Sequence, residues 1–169
     1  MKIIDFLTLV LFLSVLSCRA QINTLNDDEL FEIKFNQFTL DDIMGIDGID
    51  ENAETLFGKG NFESEANTSG PDLGRDFWNE DITFGFEDSS NTGDYFYLLY
   101  LYVNHSNVQV TVKDVTVSIG DDIGAFQGYT INEQHNRVSF YDEDTATIGI
   151  VFSFNPSTRK ITEIKMYTY

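Results

Sequence analysis

The chain has 169 residues, of which 28 are Asp or Glu and 10 are Lys or Arg, for a formal net charge of −18 at pH 7. That balance argues against a nucleic-acid partner, because phosphate contacts need clustered Lys and Arg and the sequence holds no basic cluster. Cys18 is the only cysteine, so no disulfide framework is available and a chain of this length has to be held by a single hydrophobic core.

Residues 1–17 read as a targeting segment. Lys2 and the amino terminus supply a short positive start, and Phe6 to Leu16 form an apolar run broken only by Thr8 and Ser14. Such a run has the length of a signal-peptide core and is too short for a permanent membrane span. Val15-Leu16-Ser17-Cys18 follows directly. It resembles the lipobox of bacterial lipoproteins, which implies that Cys18 is lipidated and becomes the first residue of the mature chain. The competing readings are cleavage after Ala20, with Cys18 lost, and a Cys18 without special role. Residues 18–30 are polar, end in acids and read as a tether, which leaves 31–169 as one domain.

Within that domain, Phe31 to Phe38 reads as a first strand. Thr39 and Asp42 have the spacing of a capping box, and Asp50 to Phe57 reads as a second helix capped by Asp50 and closed by Gly58. Residues 59–80 are rich in Gly, Asn, Ser and Asp and read as a long loop carrying Trp78. Ile82, Phe84 and Phe86 alternate as a strand does. Tyr95 to Val103 follows as the strongest strand signal of the chain, apolar or aromatic at nearly every position and therefore expected to be covered on both faces.

Asn104 to Asn107 suits a hairpin turn, and the shift of the valine pattern around Lys113-Asp114 marks a break between two strands. Asp121 reads as the cap of a short helix ended by Gly128. Strands are then expected at 137–141, 147–154 and 161–167, the last two joined by the turn Asn155 to Arg159. The fold class is α+β, an antiparallel meander with two short helical elements packed on one face. Leu40-Asp41-Asp42-Ile43 and Gly120-Asp121-Asp122-Ile123 echo one another, which raises the expectation of two similar halves.

Thr39 to Ile43 with Leu56-Phe57-Gly58, and Ile119 to Phe126 followed by the 148–164 hairpin, resemble the helix-then-meander repeat of the β-lactamase-inhibitor-like family and the small outer-membrane assembly lipoproteins. The resemblance implies a helical pair on an antiparallel sheet whose outer face binds protein. Gly58-Lys59-Gly60 stands where that family has Gly-x-Pro.

Chemistry is sparse. His105 and His135 lie in no metal-ligand spacing, Glu133 and His135 read as a solvated loop, and no nucleophile motif is present. Two acidic stretches, Asp47 to Asn52 and Asp142 to Asp144, lack the EF-hand pattern and read as solvated acids, with calcium binding as the alternative. No catalytic residue, metal or cofactor is therefore expected.

The remaining feature is aromatic. Trp78, Tyr95, Tyr97, Tyr100 and Tyr102 form a candidate binding surface if one sheet face is open, and a two-sided core strand if it is not. The expected protein is a non-catalytic, exported lipoprotein of the bacterial outer membrane or cell surface, or a free periplasmic or secreted form. It is expected to bind a protein of the cell envelope, as in periplasmic toxin immunity or envelope assembly. A carbohydrate-binding lipoprotein using the strand aromatics is the alternative, ahead of a glycan-degrading enzyme built on two of the acids.

Overall fold

The computed structural model describes residues 22–66, 72–88 and 96–168. Cys18 and Tyr95 lie outside the described residues. The fold is mainly β with a few short helices, within the broad α+β class. The described strands form a nine-stranded sheet in the order β1 (Asn23–Leu25), β11 (Arg137–Asp142), β12 (Ile148–Phe154), β13 (Ile161–Thr168), β7 (Phe96–Val103), β6 (Ile82–Asp88), β5 (Asp72–Trp78) and β4 (Asn61–Ala66), with β10 (Ile131–Asn132) also on β11. A second sheet of four short strands has the order β3 (Phe38–Thr39), β2 (Lys34–Phe35), β8 (Val110–Val112) and β9 (Val115–Val117).

The N-terminal elements differ from expectation. The segment read as a tether is part of the fold from Asn23 onward. β1 (Asn23–Leu25) pairs in parallel with β11 (Arg137–Asp142), and α1 (Asp27–Phe31) follows under a capping box made by Asn26 and Glu29. Leu25 and Leu30 are buried, at 0% and 2% exposure, so the acids around them occupy a helix start rather than a linker. The strand expected over Phe31 to Phe38 is instead the end of α1 and a small hairpin, β2 (Lys34–Phe35) and β3 (Phe38–Thr39), turned at Asn36 with φ 58.

α2 (Leu40–Met44) begins as expected. Thr39 accepts from the Asp42 N–H at 3.1 Å and Asp42 accepts from the Thr39 N–H at 2.8 Å. α3 (Asp50–Phe57) begins one residue earlier than read, because Ile49 holds the cap position without a side-chain bond. Gly58, at φ 77, closes it.

Residues 59–80, read as a loop, contain β4 (Asn61–Ala66) and β5 (Asp72–Trp78), paired antiparallel. Their polar composition hid them: β4 is an edge strand and needs few apolar side chains. Asn79 organises the next turn, accepting from the N–H groups of Asp81 and Ile82 at 2.9 Å each.

β6 (Ile82–Asp88) and β7 (Phe96–Val103) continue the sheet. β7 lies between β6 and β13 (Ile161–Thr168), so both its edges are taken. The segment after it therefore makes no hairpin on β7. It crosses to the small sheet, where β8 (Val110–Val112) pairs with β2 and with β9 (Val115–Val117) around Lys113 at φ 53. The 3-10 turn Ile123–Phe126 is capped by Asp122, one residue after the expected position, while Asp121 accepts from the Ser118 N–H. β10 (Ile131–Asn132), β11, β12 (Ile148–Phe154) and β13 complete the chain.

The core lies between the inner face of the large sheet and the layer formed by the small sheet, α2, α3 and the 3-10 turn. Phe57 of α3 meets Phe84 of β6 with ring centroids 5.6 Å apart, and Phe126 meets Phe152 of β12 at 4.7 Å. Phe35, Val110, Val112 and Val117 of the small sheet belong to the same buried cluster as Leu101, Ile150 and Ile164 of the large one. Full burial of side chains of this size stabilises by about 1.5–3 kcal/mol each before ordering costs. Among the described residues, no helix is long and apolar enough to cross a membrane.

Candidate functional site

A bulge in β7 decides which side chains reach the outer face. Gly85 of β6 pairs with Tyr100 and the next residue, Phe86, pairs with Leu98, so Leu99 is an extra residue. Its insertion flips the alternation. Phe96 and Leu98 point inward before it, Leu101 and Val103 after it, and all four are buried. Tyr97, Tyr100 and Tyr102 consequently share the outer face. Thr168 holds the bulge by donating its hydroxyl to the Leu98 carbonyl at 2.7 Å. The two-sided covering expected for this strand does not hold: Tyr97 and Tyr100 are half-buried and Tyr102 is 36% exposed.

Cross-strand register extends this into two rows. Asp76, Gly85, Tyr100, Tyr167, Gly149 and Tyr141 are successive partners across β5, β6, β7, β13, β12 and β11. Five strand spacings make the row about 24 Å long. Beside it, Trp78 lies opposite Thr83, Thr83 opposite Tyr102, and Tyr102 opposite Lys165.

The glycines are required by the rings. A Cβ on Gly85 falls 2.5 Å from Tyr100 Cε1, and one on Gly149 falls 2.6 Å from Tyr141 Cδ1. Tyr100 thus lies over Gly85 and Tyr141 over Gly149, filling positions where a side chain is missing. Sequence reasoning found Trp78, Tyr97, Tyr100 and Tyr102 but missed Tyr141 and Tyr167. The alternation of Val138 and Phe140 on β11, and of Ile164 and Met166 on β13, puts both tyrosines outward and was the signal available.

Polar groups pin the rings. The Tyr100 hydroxyl donates to Asp76 Oδ1 at 2.7 Å and the Tyr97 hydroxyl donates to Glu87 Oε2 at 2.9 Å. Tyr100 and Tyr102 lie side by side, with ring centroids 5.2 Å apart and planes inclined by 35°. Burial and the Asp76 carboxylate push the Tyr100 phenol well above its ordinary value, and the bond to Glu87 also raises Tyr97, so both hydroxyls stay protonated donors. On the other half, Lys165 pairs with Glu163 at 3.1 Å and sits 5.5 Å from the Tyr167 ring centroid. At the β11 end a groove of about 610 Å³ opens beside Tyr141, walled by Asn23, Thr24, Thr130, Arg137 and Ser139.

The other residues singled out from sequence do not assemble into a site. His105 and His135 are exposed, and Glu133 is bound to Arg159 at 2.6 Å. Asp142, read as solvated, is buried at 8% exposure and spends its carboxylate on the turn after β11, accepting from the N–H groups of Thr145 at 2.7 Å and Ile148 at 3.0 Å. Among the described residues, no group of three or more His, Cys, Asp or Glu is placed to hold a metal ion.

Fold and site together define an α+β protein with one covered and one aromatic sheet face. No protein-family model matches the chain, and no curated protein matches its sequence. A crystal structure of a cysteine-rich secretory protein from Staphylococcus aureus is similar at a TM-score of 0.39 and 12% identity, over 88% of this chain and 50% of that one. The chain thus spans about half the length of that protein, and at this score the likeness carries no argument about function.

Proposed function

We propose that the protein is a non-catalytic, exported lipoprotein, anchored through Cys18 to the outer membrane or cell surface, that binds another protein of the cell envelope. Toxin immunity in the periplasm and envelope assembly are the roles this reading covers. The observation that carries the binding part is the outer face of the large sheet, which bears half-buried Trp78, Tyr97 and Tyr100 and exposed Tyr102. Tyr and Trp supply large contact area at low entropic cost and are enriched in binding surfaces. The finer reading of the fold, an antiparallel meander repeated in two similar halves with a helical element each, belongs to the same proposal.

A photo-crosslinking residue placed at Tyr102 in intact cells tests the surface, with the same residue at exposed Thr116 on the small sheet as control. A discrete protein adduct is expected at position 102 alone. Equal adducts at both positions, or none, sink the binding reading. The anchor is tested separately by intact mass and membrane fractionation of the native chain and Cys18→Ala. A lipid-sized mass that disappears in the variant, with release from the membrane, is expected. A soluble native chain beginning at Gln21 overturns the anchor and leaves a free periplasmic or secreted protein.

A further inference from the structure

The outer face is not uniform in charge. On its β4–β7 half stand Glu63, Asp76 and Glu87, and no Lys or Arg among the described residues points outward there. Arg75, the one cation described on those strands, is directed inward, donating to the Gly48 carbonyl at 2.7 Å with its guanidinium 4.7 Å from the Phe96 ring centroid. Asp76 and Glu87 each use one oxygen on a tyrosine hydroxyl and leave the other without a partner among the described residues. Tyr100 lies in the row of Asp76, flanked by the Glu87–Tyr97 row on one side and on the other by exposed Tyr102, which stands opposite Lys165 of β13.

Aromatic faces next to unfilled carboxylate oxygens are the two elements that recognise a guanidinium, by stacking and by charge-assisted hydrogen bonds. An anionic partner is repelled by the carboxylates and by a chain of net charge −18, and a neutral donor gains a hydrogen bond from them without the ionic attraction that a guanidinium adds. A second copy would set the same acids against one another.

We infer that the β5–β7 part of this face docks an arginine-bearing segment of a basic protein partner, the guanidinium stacking on Tyr100 and Tyr102 and pairing with Asp76 or Glu87. The inference rests on the proposed binding role of the outer face and adds the chemistry of the partner.

The test uses the full-length protein in detergent and three short amidated peptides, Gly with Arg, Gly with Lys, and Gly with citrulline, the neutral isostere of Arg. Tyrosine ring signals are followed by NMR at low salt. The arginine peptide is expected to shift the Tyr100 and Tyr102 signals, to bind more tightly than the lysine peptide, and to lose about tenfold or more in affinity in Asp76→Asn with Glu87→Gln. Glu87→Gln alone, at an exposed side chain, is expected to show part of the loss without any folding defect. Glu51→Gln with Glu54→Gln, which removes the same charge from α3, is expected to leave affinity within about threefold.

Equal loss in the α3 control means diffuse attraction and overturns the inference, as does equal binding of the citrulline peptide or no shift at these rings. Ring shifts with a chitin oligosaccharide but not with arginine overturn it and move the face to glycan binding. Concentration-dependent self-association at the same signals overturns it in favour of a second copy. Cell crosslinks at position 102 without arginine binding leave the binding role standing and remove only this inference, whereas the absence of both removes both.

Discussion

Asp142 shows how one acid of an acidic chain differs from its neighbours. Burial pushes its carboxyl up, but N–H donors from Ile148, Thr145 and Thr147 and the Thr145 hydroxyl outweigh burial and hold it well below the ordinary range. Asp142→Asn keeps the shape, removes the charge and points a donor at other donors. Hydrogen bonds to a charged group are worth about 1.5–3 kcal/mol, so a loss of about that size at pH 7 is expected in denaturant unfolding. The wild-type advantage is present above the unfolded carboxyl value and fades as pH falls through the folded one, so the two proteins should converge below about pH 4. A constant gap across that range would show that charge is not the cause. Gly85 makes the complementary case on the outer face. In Gly85→Val the new side chain occupies the place of the Tyr100 ring, and the Tyr100–Asp76 bond has to open. Overpacking of this kind costs about 1–3 kcal/mol. Crosslinking through position 102 should fall with it, and a Gly85→Val protein with normal stability and normal crosslinking would show that the ring's seat on the glycine is unimportant.

At the scale of elements, legibility followed the length of the pattern. The Thr39–Asp42 box, the closure of α3 at Gly58, β6, β12, β13 and the break at Lys113 were readable because each rests on a local rule that tertiary contacts do not override. β1 was not. Three residues among acids carry no periodicity, and their strand character comes from pairing with β11 more than a hundred residues away. Asn23 completes that join, donating to the carbonyls of Thr130 at 3.0 Å and Ser139 at 3.1 Å and accepting from the Thr130 N–H at 2.8 Å. Tyr97, Tyr100 and Tyr102 were singled out because they lie on one strand, which does not by itself put them on one face. Their common face depends on the Leu99 bulge, whose position is set by register against β6 and leaves no mark in the sequence. Because β1 belongs to the fold and Leu25 is fully buried, Leu25→Ala should cost about 2–5 kcal/mol, as for other fully buried leucines. Denaturant midpoints check this, and a change under about 0.5 kcal/mol, typical of surface sites, would return the segment to a tether.

Across the whole molecule, two electrostatic effects of opposite sign set the dependence on pH. A net charge of −18 on a compact chain repels itself, and this repulsion weakens as carboxylates take up protons or as salt screens them. Particular acids work the other way. The ion pair with Lys113 lowers the Glu29 carboxyl, the Thr39 N–H lowers Asp42, the Tyr129 hydroxyl lowers Asp114, and the turn donors lower Asp142. Each of these contributes stability above its unfolded value, near pH 4, that is lost as pH falls through its folded value. Coming down from pH 8, relief of repulsion therefore acts first and the loss of specific bonds second. Thermal melts at low ionic strength should show a maximum near about pH 5, on the acid side of neutrality, with a steep fall below about pH 4. Raising salt from about 0.01 M to about 0.15 M shortens the screening length from about 30 Å to about 8 Å. It should lift the melting temperature at pH 8 and move the maximum toward neutral pH, because only the long-range repulsion is screened. A melting temperature at pH 8 that is flat or falls with salt would mean that the acids are already neutralised in pairs, and the steering of a basic partner would lose its physical basis.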